Sequence, residues 1–477
     1  MDAKMQRNAY QTLLAWKNLE TRKPLLVEGA PRVGKTTLIS NFGAQEFDAV
    51  TYIDLSACED ARRAFEEGQD PDKLLALIGT LTGTDPADKH TLVFLDEVQA
   101  CPHAIAALGS FYDELPQVPV IAAGTGLRTA IYRCQKSGNA PSSWSDGKAL
   151  HLGLHPLAFD EFVAAVENEQ LARTLREGDL DQIDSLAASY TELLRTYLYV
   201  GGMPEAVEAY RREASSTDNA TTAAAAPALE RDAGSAPEPS APGDDALAAA
   251  REVQTTILAS YEATFSSQAA TSSQAERARQ LWTSIPKQLM REGSNKRFIF
   301  SAAAPGARGR DYRGVLAWLE DLNLVTRVCK VRSPEAPLSK QEDPHYFKLY
   351  LLDTGLLGAA AGLDAALVHE EDRIFTEGGG AFTEQYVCQQ LVASNLCIPR
   401  YWAADGKRQK GKVDFVYEYD GEVYPVEVRP RGGRPGKSVR EFAASYGLEG
   451  ALMLSLSPAE DEGSVLNLPL YAACLLP

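Results

Sequence analysis

The sequence predicts an α/β fold built on a parallel sheet, and three observations predict it. Short apolar runs alternate with stretches of helical spacing from residue 25 to residue 154. A glycine-rich turn, GAPRVGKTT, joins the first such run to the first helical stretch. A later run, LVFL, ends in two acids, Asp96 and Glu97. Strands that alternate with helices pair in parallel and carry helices on both faces.

In chain order, strands are expected over residues 25–27, 50–55, 92–95, 118–123 and 150–154, with helices over 72–82 and 105–114. A composition break follows. From Ala214 to Ala250 the chain reads ASSTDNATTAAAAPALERDAGSAPEPSAPGDDALAAA, with no aromatic residue, Ile, Val or Met. Such a stretch buries too little apolar area to offset its ordering entropy, so it is expected to be a disordered insert. Beyond it, residues 252–265 and 276–292 have helical spacing, and 311–322 (DYRGVLAWLEDL) form an amphipathic helix whose expected role is packing. The runs LVTRVCKV and HYFKLYLLD look like strands. From Gly380 onward the pattern is a helix, two or three strands, and a helix.

The bulk numbers narrow the function classes. At 477 residues the chain exceeds one hydrophobic core. Its 47 Lys+Arg against 65 Asp+Glu give a net charge of −18, so its general field repels nucleic acid and anionic membrane. No apolar run reaches 18 residues and the N-terminus has no signal-peptide core, so a cytoplasmic protein without a membrane span is expected. Seven scattered cysteines with no CxxC point to reduced thiols rather than a disulfide frame or a zinc site. His151 and His155 lie four apart, but ALHLGLHPLAF alternates like a strand, so no metal role is assigned to them.

The glycine-rich turn fits GxxxxGK[ST] as Gly29, Gly34, Lys35 and Thr36, flanked by an apolar strand and a helical run, as the mechanism requires. Glycines let such a loop curl its N–H groups toward phosphates, and the helix N-terminus adds positive potential. The loop expected to surround ATP is Gly29, Ala30, Pro31, Arg32, Val33, Gly34, Lys35, Thr36 and Thr37. Lys35 is expected to bridge the β- and γ-phosphates, with Thr36 and Asp96 as ligands in the Mg²⁺ shell. Glu97 is expected to activate the attacking water. The strand VTYIDL, lying between the two motifs in the chain, is taken as the intervening strand of ATPases that use a catalytic glutamate. Thr125, ending VPVIAAGTG, is either a γ-phosphate sensor or a capping hydroxyl.

At this point a resemblance emerges. RNAYQTLLAWKN, GAPRVGKTTL, FLDEVQ, LGLHPLAFDEF, YVGGMPEAV, LWTSIPKQLM, LAWLEDLNLVTRV, FKLYLLDTGLL, GGAFTEQYVCQQL, YWAADGKRQKGKVDF, PVEVRPRG and GKSVREF occur in this order. The chain thereby resembles a family of bacterial and archaeal AAA-type P-loop ATPases with a C-terminal domain of unknown function. The resemblance implies a helical lid, a winged-helix-like segment and a restriction-endonuclease-like domain. On it, residues 1–212 form the ATPase domain with its lid, 251–370 the winged-helix-like part and 371–477 the nuclease-like part, while the insert, 213–250, has no counterpart in the family. The last resembles the PD-(D/E)xK pattern through Glu384, Asp414, Glu427 and Arg429, with Arg429 standing where active nucleases carry lysine. An always-protonated guanidinium cannot share a proton there, so weak or absent cleavage is expected. An active nuclease, a DNA-contacting relic and plain strand-end acids all stay open.

A basic island surrounds this motif: Lys407, Arg408, Lys410, Lys412, Arg429, Arg431, Arg434, Lys437 and Arg440, beside Tyr401 and Trp402. It is either a phosphate-backbone contact or a solvated loop. Two functions therefore remain: an ATPase acting on DNA through its C-terminal part, or a nucleotide-dependent switch that binds protein. Arg128 and Arg133 are candidates for an arginine acting on a neighbouring subunit, and the oligomeric state is open.

Overall fold

The computed structural model describes residues 5–68, 70–136, 147–166, 169–224, 243–291, 296–394, 398–404, 411–431 and 437–476. It divides into two compact units. One comprises Gln6–His155 with Ala317–Leu324, the other mainly Pro156–Leu316 and Val325–Pro477. Packing thus divides the chain in two, unlike the four consecutive segments expected. Residues 156–212, assigned from the sequence to the ATPase domain with its lid, belong to the second unit.

The first unit holds five strands: β1 (Leu25–Gly29), β2 (Ala49–Asp54), β3 (Thr91–Asp96), β4 (Val120–Gly124) and β5 (Leu150–Leu154). They pair in parallel in the order β2-β3-β4-β1-β5. Side chains alternate across this sheet. Leu25, Val27, Leu92, Phe94, Ile121 and Ala123 pack on one face with Phe42 and Trp16, while Leu26, Val93, Leu95, Val120 and Ala122 pack on the other with Phe65 and Phe111. Both faces are covered, so the central strands β3 and β4 are buried at every residue. The edge strand β2 leaves Tyr52 exposed.

Sheet order corrects one expectation. The strand between β1 and β3 is β4, not VTYIDL, which forms β2 at the edge. Crossover helices separate chain neighbours, so order along the sequence does not fix adjacency in a parallel sheet. Local chemistry sets the helix ends. Asp70 accepts from the Lys73 amide, Pro71 occupies the first turn, and Gly83 closes Pro71–Thr82 at φ 69°.

The second unit carries a mixed sheet of β6 (Val325–Val331), β7 (Glu342–Leu351), β8 (Arg400–Ala403), β9 (Lys412–Tyr419), β10 (Glu422–Arg429), β11 (Ala451–Ser455), β12 (Glu460–Asp461) and β13 (Val465–Pro469). Its order is β12-β13-β11-β10-β9-β8-β6-β7. The antiparallel hairpin β6–β7 meets β8 through Lys330 and Tyr401, so one sheet runs across the boundary expected at residue 370.

The expected insert is also narrower than its composition suggested. Helices Pro204–Ala224 and Asp244–Gln268 enter it from both sides, and residues 225–242 lie outside the described ones. Ala246, Leu247 and Ala250 are buried. Alanine is a strong helix former, so an Ala-rich stretch beside a packed helix extends it rather than ending it.

Candidate nucleotide site

At the C-terminal end of the parallel sheet, β1 delivers Gly29 into the loop and the helix Lys35–Glu46 leaves it. Gly34 sits at φ 96° and Arg32 at φ 65°, two left-handed residues that curl the loop back on itself. Ala30 and Val33 are buried beneath it, while Arg32, Thr36 and Thr37 are exposed. Arg7, from the chain's N-terminal stretch, clamps the loop by donating to the Val33 carbonyl at 3.1 Å and to His155 O at 2.5 Å.

Lys35 is 6% exposed. Its Nζ donates to Gly29 O at 3.0 Å, Ala30 O at 2.9 Å and Thr125 Oγ1 at 2.8 Å. Burial lowers its pKa to about 8, although the nearby Glu97 and Asp96 carboxylates oppose the shift. The Thr125 hydroxyl in turn donates to Gly29 O at 2.7 Å. Thr125 therefore faces the loop from the end of β4, within reach of the same ammonium.

The two motifs meet through Thr36, whose Oγ1 donates to Asp96 Oδ2 at 2.7 Å. Tyr52 reaches the same oxygen at 3.4 Å, and burial together with Asp96 pushes its phenol up to about 12. A hydroxyl and a carboxylate oxygen side by side are the hard donors that Mg²⁺ prefers. Glu97 adopts φ 52° at the end of β3, bent out of the strand direction.

Sequence reasoning assigned no role to Gln99. Its Nε2 donates to Glu97 Oε2, and its Oε1 accepts from the Thr125 amide at 3.1 Å. It thus ties the proposed base to the proposed sensor. Gly124 makes room for it, since a Cβ there would come within 2.6 Å of Gln99 Oε1. The only signal in the sequence was a polar residue two places after Glu97. Asp321, one of the acids of the helix expected over 311–322, has a role that the sequence does not signal. It accepts from the Arg128 and Thr129 amides at 3.1 and 2.7 Å, capping the helix Leu127–Lys136 that carries the exposed Arg128 and Arg133.

Residues 21–163 match a family model described as AAA domain. The unit is therefore similar to AAA-type P-loop ATPase domains, and its five-stranded parallel sheet agrees. Two further models match, both described as domains of unknown function: DUF8612 over residues 233–367 and DUF4143 over 379–471. No curated protein matches the chain. Among solved structures, the chain is similar to the Walker-type ATPase PABY2304 of Pyrococcus abyssi at 15% identity and TM-score 0.44, covering 75% of this chain and 95% of that one. Likeness to the FIGL-1 AAA domain in complex with ADP is at 14% identity and TM-score 0.24, covering 56% and 86%. For PCH-2 of C. elegans the values are 16% and 0.20, covering 36% and 46%.

In the second unit, the sequence-selected acids gather around lysines. The helical piece after the left-handed turn at Gly378, Gly379 and Gly380 carries Glu384. Its carboxylate meets Lys296 and Lys348, each at 3.2 Å, and accepts from the Tyr350 hydroxyl at 3.0 Å. Burial would push this carboxyl up, but Lys348, Lys296 and Lys412 outweigh it and hold it down at about 2. Asp414 accepts from Lys412 Nζ at 2.8 Å and from the Val428 amide at 3.1 Å. Glu427 pairs with Arg429 at 2.8 Å, as two residues on one strand face can. Lys412 lies in the field of all three acids.

Of the basic island, Lys437 pairs with Glu441 at 3.4 Å and Arg440 with Glu462. Lys407, Arg408, Lys410 and Arg434 lie outside the described residues. Tyr401 and Trp402 are buried in the sheet rather than presented beside the island. They hold β8 against its neighbours, because each has an apolar body that the core can cover.

Proposed function

We propose that the protein binds ATP with Mg²⁺ and hydrolyses it in its AAA-type unit. The observation that carries this reading is one constellation: Lys35 bonded to Thr125, Thr36 bonded to Asp96, and Glu97 beside them. In it the loop amides and Lys35 compensate phosphate charge. Thr36 and Asp96 would hold Mg²⁺, and the ion would supply neutralisation of phosphate charge there. Glu97 accepts a proton from water as that water attacks the γ-phosphorus in line, and the leaving group is ADP. Gln99 orients the Glu97 carboxylate, and Thr125 contacts the γ-phosphate. The test is an ATPase assay on the full chain, alone and with single-stranded DNA, duplex DNA or RNA. Lys35→Ala is expected to lose nucleotide binding. A Lys35→Ala protein that still hydrolysed ATP would end the reading.

The second unit, on this reading, does not cut DNA. All three acids are held by cations or amides, so a divalent ion would have to displace Lys296, Lys348, Lys412 and Arg429 to reach them. Nucleic acids as effectors are decided by stimulation in the same assay. If no nucleic acid stimulates turnover, the protein-binding switch takes the lead.

A further inference from the structure

A second cluster of side chains lies in the AAA-type unit, away from the phosphate loop. Glu66 closes the helix Glu59–Glu67, which follows β2, while Cys101 and His103 open the helix Pro102–Glu114, which follows β3. One ligand atom from each, a carboxylate oxygen, the sulfur and a ring nitrogen, all lie within 4.8 Å of one another. Cys101 is fully buried and His103 is 7% exposed, whereas Glu66 faces solvent. Among the described residues no hydrogen bond engages the His103 ring. One of its ring nitrogens lies within 4.8 Å of the Cys101 sulfur and of a Glu66 carboxylate oxygen, so the ring faces the cluster.

We propose that Glu66, Cys101 and His103 bind a zinc-type transition-metal ion. The donor set decides the chemical class. A thiolate and an imidazole favour Zn²⁺ over the hard ion Mg²⁺ of the nucleotide site. Zinc bonds of about 2.0–2.3 Å place tetrahedral ligand atoms about 3.3–3.8 Å apart, so the three side chains need to close by only about 1 Å. Binding releases the Cys101 proton to solvent. Zn²⁺ with one thiolate and one carboxylate is then electrically neutral, which keeps the desolvation cost small. Burial pushes the Cys101 thiol up to about 11, and its S–H donates to Arg62 O at 3.7 Å, so the metal has to displace that proton, while the Ala104 and His103 amides at the helix start favour the thiolate. Glu66 leaves the fourth position open toward water.

The site has a consequence for its neighbours. Cys101 ends the short turn Val98–Ala100 that begins at Glu97. A metal bridging Cys101 to the helix after β2 would fix the far end of the segment that carries Glu97 and Gln99.

The test uses the full chain, loaded with Zn²⁺ under reducing conditions and desalted, with metal content measured directly. About one zinc per chain should remain. Cys101→Ser and Glu66→Ala should each weaken retention roughly tenfold or more. Cys58→Ser should not. Glu66 is exposed, so its variant keeps the core intact and separates ligand loss from misfolding. Co²⁺ in place of Zn²⁺ should give a thiolate charge-transfer band that Cys101→Ser removes. A parent that retains no zinc, or variants that all retain it equally, would overturn the site. Metal content is read independently of turnover, so the outcome stands whether or not Glu97 hydrolyses ATP.

Discussion

Lys35 must be charged to meet a polyphosphate, yet burial holds its pKa at about 8. A phosphate beside the ammonium favours the charged form and raises that value, so binding takes up a proton at alkaline pH. ATP affinity should therefore be flat below about pH 8. Above it, affinity should fall roughly tenfold per unit until the bound-state pKa is reached. Lys35→Arg, always charged, should show no such fall. Titrating nucleotide affinity against pH checks this, and a parent profile that stays flat through pH 9 contradicts it. In stability the sign is opposite to a salt bridge. The depressed pKa makes charged Lys35 a cost below about pH 8, relieved as pH rises through that value. Glu97 and Gln99 give a second residue-scale outcome. Glu97→Gln should keep ATP affinity and lower turnover by ~10²–10⁴, the usual worth of a general base. Gln99→Ala should lower kcat with little change in KM, because it removes the orienting bond and not the charge. Equal turnover in Glu97→Gln and parent would remove Glu97 from the mechanism.

At the scale of elements, the helix Asp244–Gln268 shows where composition misleads. Leu247 is fully buried, and Gln254 on the same helix donates to the Tyr199 and Val200 carbonyls at 2.9 and 2.7 Å. Leu247→Ala should cost about 2–5 kcal/mol, read as a lower melting temperature. Deleting 225–242 should leave the melting temperature nearly unchanged, since loop-closure entropy varies slowly with length. If the deletion destabilises as much as Leu247→Ala, the segment is a packed element. The same contrast explains what was legible. The central strands β1, β3 and β4 were readable because buried strands are continuous apolar runs, and the edge strand β5 because LHLGL alternates. The phosphate loop was readable because its chemistry demands fixed residue types at fixed spacing. Sheet order, the partners of Gln99 and the cap supplied by Asp321 were not. Each depends on residues far apart in the chain, and neither period nor propensity encodes such contacts.

Across the whole molecule, charge is the scale-setting quantity. A chain at −18 repels DNA, so any contact must come from local cations, and most described cations of the basic island are already paired with acids. The surface pairs Lys437–Glu441 and Arg440–Glu462 are worth little each and open readily, but opening them exposes as many negative as positive charges. DNA binding by the full chain should therefore be weak at about 50 mM salt and lost by about 200 mM, the steep dependence expected of phosphate contacts. Cleavage is a stricter matter. Glu384 would have to surrender two buried ammonium partners and a tyrosine hydroxyl before accepting a metal, and uncoupling a buried charge from its partners is costly. Mg²⁺ or Mn²⁺ should give no cleavage of single-stranded or duplex DNA, with or without ATP. Arg429→Lys alone should not restore it, because Lys296 and Lys348 still hold Glu384 and Lys412 still holds Asp414. Gel analysis of end-labelled DNA decides the matter. Cleavage by the parent that Asp414→Ala abolishes would mean that the metal displaces the lysines, and would make the second unit a nuclease driven or gated by the first.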